Sequence, residues 1–375
     1  MKLRNIIAIG LSLAALVSCS KDSQPINVKD LKDAKVNISL KPSLSGSNLK
    51  AGGDDYALDG ETNINSVTVL SFSADGSQIL VDPYWTDGMS TADDVTTILS
   101  VPTKATNALI AVLANVPENA FSGVTTYAAF QDRLAQLSDQ SQTNLAMSAQ
   151  VIAASAELAE GDNYIGYTSQ TNINNINTPL ELTRLAARIE LVGATTNFDS
   201  KASLRGRTVR INSIYLANQK TASRFASTAY WGAVMADGNL ADGSPVTVGQ
   251  NLPIATVPFR QYVMENTDEN NPTQIVINAT ILASNGYQAE TKAFAATINE
   301  NGTVLPGRGE AHKYVKRNYI YRLNISFGPN SFTGIRDEDP TPPTPPTPPA
   351  PTTGDLTVSV QVIGWGDVHQ VSIVK

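Results

Sequence analysis

One cysteine and two histidines are the side chains through which this 375-residue chain could do chemistry. Cys19 ends the segment LVSC, with the small Ser18 directly before it. A thiol there can accept a diacylglyceryl group as a thioether, and the segment resembles the lipobox read by a lipoprotein signal peptidase. Lys2 and Arg4 supply a positive start, and IIAIGLSLAALV is an apolar run too short to span a bilayer well. Residues 1–18 therefore read as a lipoprotein signal peptide, with an ordinary secretory signal as the plainer alternative. The chain holds no second cysteine, so an internal disulfide is excluded and stability must come from burial. Acyl chains contribute ~0.8 kcal/mol per buried methylene, so two or three would anchor the chain to an outer membrane.

The remaining reactive groups are sparse. His312 lies in the basic stretch GRGEAHKYVKRN and His369 in the C-terminal tail, and neither belongs to a recognisable triad pattern. HExxH, paired cysteines, a P-loop, GxSxG and a GxGxxG after a strand are all missing. Two histidines without cysteines make a poor metal set. The Asp-Gly pairs of ADGNLADGS and DDYALDGE miss the EF-hand spacing and read as turns. Tyr84-Trp85 and Tyr230-Trp231 could form a sugar platform, but core or strand-edge packing is the commoner use of such pairs. The expectation is a non-enzyme with no catalytic residue, no metal and no cofactor. A net charge of −7 also excludes nucleic acid, whose phosphates need a basic surface.

The elements that would position anything are strands. Hydrophobic residues make up 42% of the chain and charged ones only 16%, with Thr, Ser, Asn, Val, Ile and Ala dominant. After a polar tether, VNISL puts Val36, Ile38 and Leu40 on one face and Asn37 and Ser39 on the other, the period-two pattern of a strand. The loop SGSNLKAGGDD follows. SVTVLSFSADGSQILV reads as a hairpin about Asp75-Gly76, NALIAVLANVP as a central strand, and YAAFQDRLAQLSDQ as a helix through Phe130, Leu134 and Leu137. TPLELTRLAARIELVG returns to strand. In YVKRNYIYRLNISFG, Tyr319, Tyr321, Leu323, Ile325 and Phe327 share a face.

Many short strands with Gly, Asn and Asp turns predict an all-β chain with a short helix, folded as two β-sandwich domains. Eight prolines between Pro340 and Pro351 then form an extended linker. Beyond it, Leu356, Val358, Val360 and Val362 line one face of a final strand, broken by Gly364-Trp365-Gly366. That tail is either the last strand of the second domain or a strand meant for another molecule. The first reading leaves room for a surface carbohydrate-binding lipoprotein. The second uses the stiff tether to reach a partner.

A lipobox, an early strand with an accessible loop, two β domains and a C-terminal strand segment resemble the fimbrillins, the subunits of type V pili. LTRLAARIEL, VKRNYIYRLNI and VQVIGWGDV are similar to stretches of that family. The resemblance implies transthyretin-like sandwiches, export as a lipoprotein and cleavage by a surface trypsin-like protease. It implies that the displaced first strand carries Val36, Ile38 and Leu40. The donor strand entering another subunit would then carry Leu356, Val358, Val360, Val362 and Trp365. The usual cut follows arginine, but none lies between Arg4 and Arg133, so cleavage is expected between Lys50 and Ala51.

The organisation expected is a signal peptide at 1–18, a lipidated propeptide at 19–50 and sandwich domains at 51–188 and 189–336. A linker at 337–354 and donor strands at 355–375 complete it. Partners would be copies of the chain, related pilus subunits, the outer membrane through lipid before maturation, and the protease. The location would be the outer membrane, the cell surface and the fimbrium. An anchor that keeps its lipid is the alternative role. A tip is disfavoured, because no subunit lies beyond it to receive a donated strand.

Overall fold

The computed structural model describes residues 27–43, 57–89, 95–149, 151–153, 157–225, 236–256, 258–304, 311–340, 349–353 and 356–365. The N-terminal half carries β1 (Asp33–Pro42), β2 (Ser66–Ser73), β3 (Tyr84–Asp87), β4 (Thr96–Lys104) and β5 (Ala108–Ala114). A five-residue helix, α1 (Tyr127–Gln131), precedes β6 (Leu134–Gln136), β7 (Met147–Ser148), β8 (Ile152–Ala153), β9 (Gly161–Ile165) and β10 (Leu180–Arg184). Nine of these strands form one sheet, ordered β3-β2-β5-β7-β10-β1-β4, with β8 on β5 and β9 on β1. Alternate residues of its strands, among them Val36, Ile38, Val67, Val69, Ile98, Ile110 and Val112, converge on one core. β10 links the strands around β1 to those around β5, so that the two groups enclose this core between them.

The C-terminal half is a two-sheet sandwich. Its strands are β11 (Ala186–Thr196), β12 (Val209–Ala217), β13 (Gln219–Arg224), β14 (Ala236–Ala241), β15 (Val246–Asn251) and β16 (Phe259–Met264). Then follow β17 (Gln274–Ile281), β18 (Glu290–Thr297), β19 (Thr303–Val304), β20 (Ala311–His312), β21 (Tyr319–Phe327), β22 (Pro351–Thr353) and β23 (Leu356–Gly364). Sheet β16-β11-β21-β23 faces sheet β15-β12-β17-β18-β22. The inward residues Ile189, Leu191, Ile211, Ile277, Phe294, Tyr321, Leu323 and Phe327 make its core.

Several expectations are refined. The Asp75-Gly76 turn forms, with Gly76 at φ 72, but the returning chain gives only a Phe72–Ile79 bridge before β3 pairs with β2. The helix expected to run on to Gln140 stops at Gln131, capped at its start by Thr126, whose side chain accepts from the Ala129 amide at 3.1 Å. Leu134–Gln136 leave helical geometry because they pair with β13 of the other half, a tertiary contact that overrides a short helical pattern. The run TPLELTRLAARIELVG divides at Leu185, so that β10 joins the first sheet and β11 the second. Pro351–Thr353, at the end of the proline run, lie as β22 alongside β18.

Candidate functional site

The first and last strands define the two places where this fold can be opened. β1 lies between β4 on one side and β9 followed by β10 on the other. Val36, Ile38 and Leu40 point inward and are at most 2% exposed. Their alternation makes this placement: one face buries three aliphatic side chains, each stabilising by about 1.5–3 kcal/mol. Ladders on both edges satisfy the backbone. Among the described residues, β1 is the only strand with which β4 or β9 pairs. The segment that begins the fold is thus also its bridge.

The last strand is docked at home. β23 pairs antiparallel with β21 over nine residues, from Tyr319 opposite Gly364 to Phe327 opposite Leu356. Val362 is buried in the second core, while Leu356, Val358 and Val360 are half-buried against it. These three face a groove of about 630 Å³ between β23 and the end of β18. Trp365, only 2% exposed, closes the strand.

Trp365 sits at the junction of the halves. Its indole N–H donates to Glu61 Oε2 at 3.2 Å, and its ring stacks on Tyr262 at 5.9 Å with the planes 7° apart. The guanidinium groups of Arg184 and Arg188 lie 5.0 and 5.2 Å from the indole centre. Glu61 is fully buried and also accepts from the Arg188 guanidinium, from the Tyr262 hydroxyl at 2.6 Å and from the Leu58 amide at 2.7 Å. Burial, with the Glu61 carboxylate accepting its hydrogen bond, holds the Tyr262 phenol far above the usual tyrosine range. Arg184 donates to the Glu61 carbonyl at 2.9 Å and to the Ser43 carbonyl, just past β1, at 2.8 Å. One polar cluster therefore touches the end of β1, the start of the second domain and the last strand.

Of the residues singled out in the sequence, Val36, Ile38 and Leu40 share one core, and Leu356, Val358, Val360 and Val362 share the other. Cys19, Lys50, Ala51 and His369 lie outside the described residues. His312 is buried, its Nε2 2.9 Å from the Tyr321 hydroxyl, and serves packing. Trp85 uses its N–H on the Val116 carbonyl at 3.1 Å. Among the described residues no group of three or more His, Cys, Asp or Glu could hold a metal ion. Glu61, Arg184, Arg188 and Tyr262 escaped sequence reasoning. The two arginines stand out in LTRLAARIEL, but nothing local ties them to Glu61, more than 120 residues away.

Residues 185–365 match the family model "Fimbrium tip subunit Fim1C-like, C-terminal domain", and residues 34–184 match "Major fimbrial subunit protein (FimA)". The two matches meet where β10 gives way to β11. A Parabacteroides distasonis protein named as fimbrium tip subunit Fim1C is 42% identical, covering 98% of each chain. A crystal structure from Parabacteroides distasonis, described as a cell adhesion protein, superposes with a TM-score of 0.78 at 38% identity. It covers 90% of this chain and 98% of its own. A Porphyromonas gingivalis fimbrilin shares the fold, with a TM-score of 0.58 at 20% identity over 90% of this chain and 99% of its own.

Proposed function

The chain belongs to the family of fimbrial subunits, and we propose that it joins a fimbria by accepting a strand from a neighbouring subunit in the slot that β1 fills. The observation that carries this reading is that, among the described residues, β1 is the one strand that pairs with β4 and β9. Removing it opens a strand-shaped groove with hydrogen-bonding edges on both sides and an apolar floor, which is the geometry of strand addition. In this reading the chain is exported as a lipoprotein through Cys19. A surface protease cuts between Lys50 and Ala51, releasing residues 19–50 with β1. Acylation would hold it to the outer membrane until then.

Its place is the tip. The named relative is a tip subunit, and β23 is held by a nine-residue ladder and by Trp365 in the Glu61 cluster. A strand so held completes its own domain, and a tip has no need to donate it. The expectation that the tethered tail reaches another subunit belongs to a second reading, the stalk. What favours that one is the half-buried row Leu356, Val358 and Val360 along an open groove.

Two changes separate the readings. Lys50→Ala should leave the subunit lipidated, with β1 in place and absent from fimbriae. Ending the chain after Thr353 tests the tail. In the tip reading, fimbriae shorten or lose their end subunit only through misfolding of the second domain, and ladders of other subunits persist. In the stalk reading the ladders containing this chain vanish although the monomer folds.

A further inference from the structure

β4 carries one residue more than β1 across their ladder. Val36 stands opposite Val101 and Ile38 opposite Ile98, so Leu99 and Ser100 both face Asn37. This is a β-bulge, with Ser100 in the left-handed region at φ 59 and Leu99 turned out, 63% exposed. The Ser100 amide donates to Asn37 Oδ1 at 2.9 Å. The amide group of Asn37 reaches across to β9, 3.4 Å from both Asp162 Oδ1 and the Asn163 carbonyl. Asn37 is 5% exposed on the face opposite the aliphatic core. Two residues on, Ser39 is 4% exposed. Gly166, at φ +87, packs against it: a Cβ there would stand 2.6 Å from the Ser39 carbonyl oxygen and 3.2 Å from its Cβ. Gly166 thus has no room for a side chain of its own against Ser39, which is itself covered.

We infer that the β1 slot reads the outer face of any strand that enters it, requiring a hydrogen-bonding side chain at the bulge and a small residue two positions later. This rests on the slot being an acceptor. The inner face cannot set the register alone. A one-residue slip inverts the faces, but a two-residue slip keeps every apolar residue inward. A tail such as LTVSVQV therefore offers the slot several apolar registers. The outer face separates them, because only one register puts a polar side chain opposite Ser100 and a small one against Gly166. The occupant is the C-terminal strand of a related subunit. The chain's own Leu356–Val360 has the required order, with Thr357 and Ser359 where β1 has Asn37 and Ser39.

The test uses the full chain cleaved after residue 50 and a fluorescein-labelled peptide of residues 33–43, with entry followed by fluorescence anisotropy. Asn37→Val in the peptide should weaken entry about tenfold, through loss of the hydrogen bonds that Asn37 makes to the Ser100 amide and to β9. Ser39→Leu should weaken it at least as much, and Lys35→Ala at the exposed edge should leave it unchanged. Equal entry of the Asn37→Val and Ser39→Leu peptides with the parent would overturn the outer-face code while leaving the acceptor slot standing. Failure of the parent peptide itself to enter would sink the slot reading and the code with it.

Discussion

Trp365 is the single side chain on which the junction turns. Replacing it by alanine removes the stack on Tyr262, the contact with two guanidinium groups and a hydrogen bond to buried Glu61. Trp365→Ala should cost about 3–5 kcal/mol of stability in denaturant melts and speed proteolysis at β23. Trp365→Phe should recover part of the loss. Tyr262 gives the junction a pH signature. Its folded-state pKa lies above that of the unfolded chain, so its contribution is fully present below the unfolded value of about 10 and is lost as pH rises past it. Tyr262→Phe should therefore lose less stability than the parent between neutral pH and the alkaline side of 10, as read by paired melts. An unchanged alkaline slope would mean that Tyr262 is not held protonated by the fold.

At the scale of elements, the strand pattern was legible and the partners were not. VNISL and LTVSVQV announce strands because alternation with period two is a local property. Nothing local says that β1 meets β4, β9 and β10, or that β4 bulges opposite Asn37. Those follow from ladders between residues more than 50 apart. The helix that ended at Gln131 fails for the same reason: β13, far along the chain, claims Leu134–Gln136. Of the site, the aliphatic rows could be read in advance. The Glu61 cluster could not, since a buried acid is visible only once its arginines are near. Ile38→Ala, in a fully buried site, should destabilise by about 2–5 kcal/mol in melts of the uncleaved chain. When β1 is cut free and washed away without a replacement, hydrogen exchange should rise first at Thr96–Lys104 and Gly161–Ile165, which lose the one strand partner they have among the described residues. Protection lost uniformly, or first in β5, would contradict the bridging role of β1.

Among the described residues the two β units are joined by the change of sheet at Leu185, the ladder of β6 with β13 and the cluster around Glu61, together with shared apolar contacts such as Phe121 with Phe225. The Ser43 carbonyl and Trp365 both belong to that cluster, so the state of the first strand and the seating of the last are physically adjacent. In the proposed assembly a new strand would enter as β1 leaves, since β1 bridges β4 and β9. The most direct test is the N-terminal sequence of this chain taken from purified, SDS-resistant fimbriae. The account predicts a start at Ala51, with residues 33–43 absent and a neighbour's strand protected in their place. A start at lipidated Cys19, with β1 retained in assembled material, would contradict it.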